Sequence, residues 1–272
     1  MSSIHVARSL RTASVTASDV HCAGGCRHDS DVECAQATHI VFPYRGVYVR
    51  RVGQDVAVAD GNQVLFFNAL QEYRISHPVE GGDACVSLAV APAVLEELAP
   101  AGTLQAGAFL AQHQRIDAQS QMLVAQLRLA MHDDATEPLK AETLMLSLLQ
   151  HALGGRSKPS SQARHGQRRL VDRIKLTLAS DTARRWTLDD IAAETGGSPV
   201  YLTQVFQQVE GIPLYRYQLQ LRLQRALAVM AQCGDLSAVS FDLGFSSHSH
   251  FSASFRQAYG CSPSAFRKLA NH

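Results

Sequence analysis

The 272-residue chain has a single Trp, 7% aromatic residues and no apolar run near the roughly 20 residues that a membrane helix needs, which excludes a helical membrane protein. Its first residues, Met1-Ser2-Ser3-Ile4-His5-Val6-Ala7-Arg8, lack the apolar core of a secretory signal, so an unexported, cytoplasmic protein with no membrane partner is expected. No P-loop, dinucleotide fingerprint or nucleophile elbow occurs, so no catalytic residue is named and no enzyme is expected. Disorder and collagen-like repetition are excluded by 46% hydrophobic and 18% charged residues with only 18 Gly and 9 Pro. An excess of charge of one sign is also missing, since the net charge is +1. At roughly 100–200 residues per domain, the length suggests two domains.

The net charge conceals a division. Residues 1–163 hold 12 Lys and Arg against 16 Asp and Glu, net −4, whereas residues 164–272 hold 13 against 8, net +5. The stretch Gly154-Gly155-Arg156-Ser157-Lys158-Pro159-Ser160-Ser161-Gln162 separates two helical patterns and reads as a linker. The expected organisation is a domain over 1–153, a linker over 154–167 and a second domain over 168–272. An acidic half joined to a basic one suits a nucleic-acid-binding module with a partner domain.

The fold class read from the pattern is α+β. Short β-rich runs at 39–42, 46–52, 55–58, 63–67 and 73–77 are separated by turn residues such as Pro43, Gly46, Gly53, Asp60-Gly61-Asn62 and Gly81-Gly82-Asp83, as in a small antiparallel sandwich or jelly-roll barrel. After Pro92 the period becomes helical. Leu123, Leu127, Ala130 and Met131 share one face, and Leu144, Met145, Leu148, Leu149 and Ala152 share another. The two helices suit either a cover for the barrel or the seam of a homodimer.

The C-terminal half repeats itself. Leu188, Ile191 and Gly196 match Leu236, Val239 and Gly244 at an offset of 48, and Ser198, Leu202, Phe206, Gly211 and Tyr217 match Ser247, Phe251, Phe255, Gly260 and Phe266 at 49. Each unit reads as helix, Gly-containing turn and second helix, the order of a helix-turn-helix. Thr187-Leu188-Asp189-Asp190 is a capping box, Ser198-Pro199 and Ser262-Pro263 start helices, and Gly211 and Gly260 stop them. Between the units, Pro213 to Cys233 predicts one long helix of about 30 Å, near the roughly 34 Å between successive major-groove faces of B-DNA.

Through Leu188-Asp189-Asp190-Ile191-Ala192, the run from Ser198 to Phe206, Arg222-Leu223-Gln224-Arg225-Ala226 and the run from Leu243 to Arg267, residues 170–268 closely resemble the DNA-binding domain of the AraC/XylS family of bacterial transcription regulators. The N-terminal half resembles that family's cupin-like effector or dimerisation domain more loosely, by strand order, by Asn68 to Pro78 and by the helical pair. The resemblance implies an all-α domain of two helix-turn-helix units joined by a long helix, a double-stranded DNA operator as partner, and RNA polymerase as a further partner if the protein activates. Groove-facing positions carry over to Val200, Thr203 and Gln204 in the first unit and to His248, Ser249 and Ala253 in the second. Gln204 suits adenine, Thr203 and Ser249 suit either base type, Val200 suits a thymine methyl and His248 a purine edge. Arg is absent at Gln204 and Ala253, so bidentate guanine reading is not expected there. Phosphate contacts are assigned to Arg216, Arg222, Arg225, Arg256, Arg267 and Lys268, some of which could instead support packing between the units.

Three of the six Cys cluster with His, two in His21-Cys22-Ala23-Gly24-Gly25-Cys26-Arg27-His28 and the third at Cys34, with His39 following. Cys22, Cys26 and Cys34, with Cys85, His39 or His77 as a fourth ligand, admit a soft-metal site for Zn²⁺ or Cu(I). They equally admit a thiol switch, or simple packing. Cys233 and Cys261 read as packing residues. The expected function is a sequence-specific transcription regulator controlled by a signal in the N-terminal domain. The alternative is a metal-dependent cupin-type enzyme tethered to DNA, for which the paired His-x-His of such sites is missing near residues 34–50.

Overall fold

A computed structural model describes residues 4–25, 27–154, 163–233 and 235–270. Cys26 and residues 155–162 of the expected linker lie outside the described residues. The chain divides into two compact units, Met1–Arg156 and Ser157–His272.

The first unit runs β1 (Ile4–Arg11), β2 (Val15–Cys22), β3 (Glu33–Cys34), β4 (His39–Arg45), β5 (Tyr48–Val52), β6 (Asp55–Ala59), β7 (Gln63–Phe67), β8 (Glu72–Ser76), β9 (Asp83–Val90), α1 (Pro92–Leu98), β10 (Leu104–Gln105), β11 (Ala108–Phe109), β12 (His113–Arg115), α2 (Ala118–His132) and α3 (Pro138–Gly154). The strands form a six-stranded sheet in the order β1-β2-β9-β4-β7-β12, a four-stranded sheet in the order β3-β8-β5-β6 and a small β10-β11 pair. The described strands are thus two main sheets and do not close into a barrel. The five β-rich runs of the sequence become β4 to β8. Three long strands had escaped the pattern. In β2 the alternation is carried by small or polar residues, Val15, Ala17 and Asp19 facing inward, and β1 is an almost fully exposed edge.

Side chains alternate across the six-stranded sheet with the two-residue period of a strand. Val20 and Cys22 of β2, His39 and Val41 of β4, and Cys85 and Ser87 of β9 line a cavity that Tyr48, Tyr73 and Ile75 of the four-stranded sheet also line. The intervening Asp19 and Tyr44 instead meet α2 on the opposite face. Helices α2 and α3 pack on one another and on that face. The buried face of α2 carries Val124, Leu127, Ala130 and Met131, with Leu123 only half-buried.

Two buried charges fasten these layers. Arg50 of β5 donates to the carbonyls of Phe66 (2.7 Å) and Gln112 (2.6 Å) and lies over the Phe67 ring, joining the two sheets. Burial pulls its pKa down to about 10, so it remains charged at neutral pH. Asp19 is fully buried and accepts from the Tyr44 hydroxyl at 2.6 Å and pairs with His132 of α2 at 3.0 Å. Burial opposes its ionisation, but the Tyr44 and His132 hydrogen bonds and the Arg128 and His21 charges outweigh it, so its pKa lies below the usual 3.8.

The second unit contains α4 (His165–Ser180), α5 (Leu188–Thr195), α6 (Pro199–Glu210), α7 (Leu214–Val229) with a 3₁₀ turn over Met230–Gln232, α8 (Leu236–Asp242), α9 (His248–Tyr259) and α10 (Pro263–Ala270). Helix α4 begins three residues inside the segment read as linker. The caps form where the sequence placed them. Thr187 accepts from the Asp190 amide while the Asp190 carboxylate accepts from the Thr187 amide, Ser198 accepts from Tyr201, and Ser262 from Ala265. Gly211 and Gly260 end α6 and α9 in the left-handed conformation, at φ 74° and 75°. The repeat is a repeat of burial: Ile191 and Val239, Leu202 and Phe251, Phe206 and Phe255, and Tyr217 and Phe266 are all buried. A buried Lys175–Glu210 pair at 2.5 Å ties α4 to α6.

The two helix-turn-helix halves meet where the α4–α5 loop abuts the α8–α9 turn. Gly244, at φ +77°, leaves no room for a methyl group, because a Cβ there would lie 2.0 Å from the Ala183 carbonyl oxygen. Arg185 donates to the Gly244 and Phe245 carbonyls. From α7, Arg222 donates to the Thr182 and Arg184 carbonyls.

Two predictions follow from these contacts. Asp19→Ala should cost about 2 kcal/mol by removing the charge-assisted hydrogen bonds from Tyr44 and His132. Because the native pKa is depressed, this stabilisation is present above the unfolded value near 3.8 and is lost as pH falls through the native one. Urea midpoints measured from pH 6 downward should therefore drop in the native protein below about pH 4, and drop less in the variant. Gly260→Ala, with open space around its Cβ, should cost only the left-handed backbone, about 1–2 kcal/mol. Gly244→Ala should cost clearly more, and equal losses in thermal unfolding would refute the steric contact with Ala183.

Candidate functional site

In the second unit, the interior faces of α6 and α9 are occupied by Leu202, Val205 and Phe206 and by Phe251 and Phe255. The 3.6-residue period therefore turns Val200 and Gln204 outward from α6, and His248, Ser249 and Ala253 outward from α9. Thr203 is half-buried, and its hydroxyl donates to the Val200 carbonyl at 2.8 Å. Its remaining lone pairs and its methyl group are what it can offer a base edge. The six residues form two short, small and polar surfaces, each near the N-terminal end of the second helix of its half. The helix N-termini add backbone N–H groups, of which the third, at Tyr201 and His250, is taken by the capping serines, and Pro199 at the start of α6 has none.

The candidate phosphate-binding cations divide by environment. Arg216, Arg225, Arg256 and Lys268 are exposed. Arg267 is half-buried and has a partner within the protein. Arg222 is also half-buried, and its guanidinium is engaged by the loop carbonyls of Thr182 and Arg184. Burial, with the nearby Arg185 charge, lowers its pKa from the usual value. Arg185 was not singled out from the sequence, because nothing in a lone Arg-Arg-Trp loop marks it as a joint between two helical repeats.

The first unit holds a second site. The cavity between its sheets has a volume of about 210 Å³. At its margin, Cys22 at the end of β2, His77 just after β8 and Asp83 at the start of β9 place a sulfur, a ring nitrogen and a carboxylate oxygen within 4.8 Å of one another, and all three residues are buried. His77 Nε2 lies 2.7 Å from Asp83 Oδ1. Its Nδ1 is buried without a hydrogen-bond partner. The β2–β9 register sets Cys22 directly opposite Asp83.

Of the residues named from the sequence as metal or redox candidates, the structure thus brings together Cys22 and His77. Cys34 is exposed on β3. Cys85 and His39 line the cavity outside the three-residue cluster. Burial, and then the Asp83, Asp19 and Cys22 charges, push the Cys85 thiol well above its ordinary pKa, which keeps it protonated and unreactive. Burial lowers the pKa of His39, whose Nδ1–H donates to the Ala37 carbonyl at 2.8 Å while its ring stacks on Phe67. Asp83 was missed because Gly81-Gly82-Asp83 reads as turn chemistry, and its ligand character depends on a strand pairing that the sequence does not reveal.

Comparisons with known proteins bear on the second unit. Residues 191–269 match a family described as Helix-turn-helix domain. An uncharacterized HTH-type transcriptional regulator of Escherichia coli K12, YidL, is 33% identical over 103 residues, which is 38% of this chain and 35% of that protein. The HTH-type transcriptional activator RhaR of Klebsiella pneumoniae is 27% identical over 157 residues, 56% of this chain and 54% of that protein. The solved structure of a Chromobacterium violaceum transcriptional regulator with an AraC-type DNA-binding domain is 26% identical, covering 40% of this chain and 98% of that one at a TM-score of 0.37. The chain thus spans about a third to a half of the length of these curated relatives. Across the matched residues, two helix-turn-helix halves repeat caps, glycines and buried aromatics, and this second unit is a helix-turn-helix domain of the AraC/XylS type.

Proposed function

We propose that the chain is a sequence-specific DNA-binding transcription regulator whose N-terminal unit receives a signal. The observation that carries this reading is the duplicated helix-turn-helix, in which equivalent positions of α6 and α9 are apolar inward and small or polar outward. Val200, Thr203 and Gln204 read one stretch of major groove, and His248, Ser249 and Ala253 read the next. The 16 residues of α7 extend about 24 Å, and the 3₁₀ turn adds about 6 Å, a separation of the order of the groove repeat. Exposed Arg216, Arg225, Arg256 and Lys268 supply phosphate contacts, with Arg267 beside them. Arg222 serves by holding the two halves in register.

In this reading the first unit is a cupin-like effector domain that senses a metal ion or thiol oxidation, and α2 and α3 offer a seam for a homodimer. The protein acts in the cytoplasm on a double-stranded operator, and engages RNA polymerase if it activates. A ligand that binds one conformation of the first unit better than another shifts how the DNA-binding unit is presented. The reading as a cupin-type enzyme tethered to DNA gains nothing from the matched relatives, which are named as regulators.

Binding selection on randomised duplexes, followed by anisotropy titrations across salt, tests the assignment. His248→Ala should change base preference in one half of the selected site. Arg256→Ala should weaken selected and random DNA alike and reduce the slope of log K against log salt by about one. Equal effects of both substitutions on selected and random DNA would overturn it.

A further inference from the structure

We propose that Cys22, His77 and Asp83 hold a single divalent cation of the Zn²⁺ class, and that this ion is the signal received by the first unit. The identity of the ion as a signal rests on the regulatory reading above, whereas the binding site rests on geometry alone.

Three segments are held together there more closely than ordinary side chains permit. A Cβ on Gly82 would lie 2.2 Å from the Cys22 carbonyl oxygen, one on Gly24 would lie 2.6 Å from Gly82 Cα, and one on Gly46 would lie 2.0 Å from the Gly82 carbonyl oxygen. All three glycines have φ between 65° and 71°. The residues after Cys22, the β4–β5 turn and the turn that carries Asp83 are thereby locked backbone against backbone. Such glycines cost conformational entropy on folding, and what they achieve is the convergence of Cys22, His77 and Asp83. The unpartnered Nδ1 of His77 points to the same conclusion. Leaving a buried polar atom unsatisfied is unfavourable, and a cation bound at that nitrogen would satisfy it.

The donor set selects the ion. Thiolate, imidazole and carboxylate together suit Zn²⁺ and its spectroscopic surrogate Co²⁺. Mg²⁺ and Ca²⁺ take oxygen donors, and Cu(I) prefers sulfur to carboxylate. Binding releases the Cys22 thiol proton to solvent, so one thiolate, one carboxylate and a doubly positive ion sum to zero charge. Neutrality is the condition under which a buried ionic cluster is tolerable. Three protein donors leave a fourth tetrahedral position for water or an incoming donor. The ion would bridge the end of β2, the start of β9 and the segment after β8, and so tie the six-stranded sheet to the edge of the cavity.

Titration of the chelator-treated full-length chain with Co²⁺ tests this. One equivalent should produce the near-ultraviolet thiolate-to-cobalt absorption, and Zn²⁺ should abolish it. Cys22→Ser should remove that band, Asp83→Asn and His77→Gln should weaken Co²⁺ binding at least about tenfold, and exposed Cys34→Ser should change neither. Far-ultraviolet circular dichroism identifies any variant that fails to fold, and Asp83→Asn, close in volume, preserves the test if Cys22→Ser does not fold. Absence of the thiolate band at one equivalent, or its persistence in folded Cys22→Ser, would overturn the site. A native chain that binds one Co²⁺ through Cys22 while its affinity for selected DNA is unchanged by the ion would keep the site and overturn its role as the signal.

Discussion

The helix-turn-helix unit depends on one backbone contact, the seating of Gly244 against the Ala183 carbonyl. Two helices can present one composite surface only if their separation and tilt are fixed, and α7 alone does not fix both. The contact between the α4–α5 loop and the α8–α9 turn supplies the missing constraint. Arg185 and Arg222 reinforce it with four hydrogen bonds to main-chain carbonyls. Carbonyls in loops lie outside regular ladders and must find donors when covered. Two guanidiniums, each with a planar array of N–H groups, satisfy several of them at once. The cost is that Arg222 is withdrawn from the solvent-exposed surface on which Arg216 and Arg225 lie.

The first unit solves a similar problem with buried charge. Its six-stranded sheet has a different task on each face, a cavity on one and helices on the other, and the two-residue period assigns successive residues of β2, β4 and β9 to opposite tasks. Arg50 and Asp19 fasten the outer layers to that sheet from its two sides. Each is fully buried and held by strong hydrogen bonds, so removing a partner would leave an uncompensated charge. That penalty favours one packing over its near alternatives, and a one-residue slip of β2 would exchange Asp19 with Val20 and place the carboxylate in the cavity.

The helical repeat was legible because its information is local. Caps such as Thr187 and Ser198, stops such as Gly211 and Gly260, and apolar residues three or four apart all act within one or two turns, and the duplication displays each twice. The strands β4 to β8 were legible for the same reason, being β-rich and bounded by turn residues. β2 and β9 were not, although they are central. The inward positions of β2 include Ala17 and Asp19, whose burial follows from tertiary partners in β4 and α2 rather than from any apolar pattern. Among candidate site residues, the positions on α6 and α9 came from the family resemblance, and the helical period turns all but half-buried Thr203 outward. Cys22 and His77 were legible by residue type, while Asp83 was hidden in turn chemistry and Cys34 was named for proximity in sequence that the fold does not turn into proximity in space.

The difference between Asp83 and Cys34 shows what kind of constraint builds such a site. Cys34 is only 12 residues from Cys22, yet it lies on the edge strand β3, whose pairing is with β8. Asp83 is 61 residues from Cys22, yet the antiparallel register of β2 and β9 makes the two direct partners. That register is enforced along eight successive pairs, from Val15 with Val90 to Cys22 with Asp83, so the juxtaposition of thiol and carboxylate is set by the whole strand pair. Gly24, Gly46 and Gly82 then remove the side chains that would hold the neighbouring turns apart. A site assembled in this way is fixed by strand register on its β2–β9 side and by the backbone contacts of these glycines at the turns beside it.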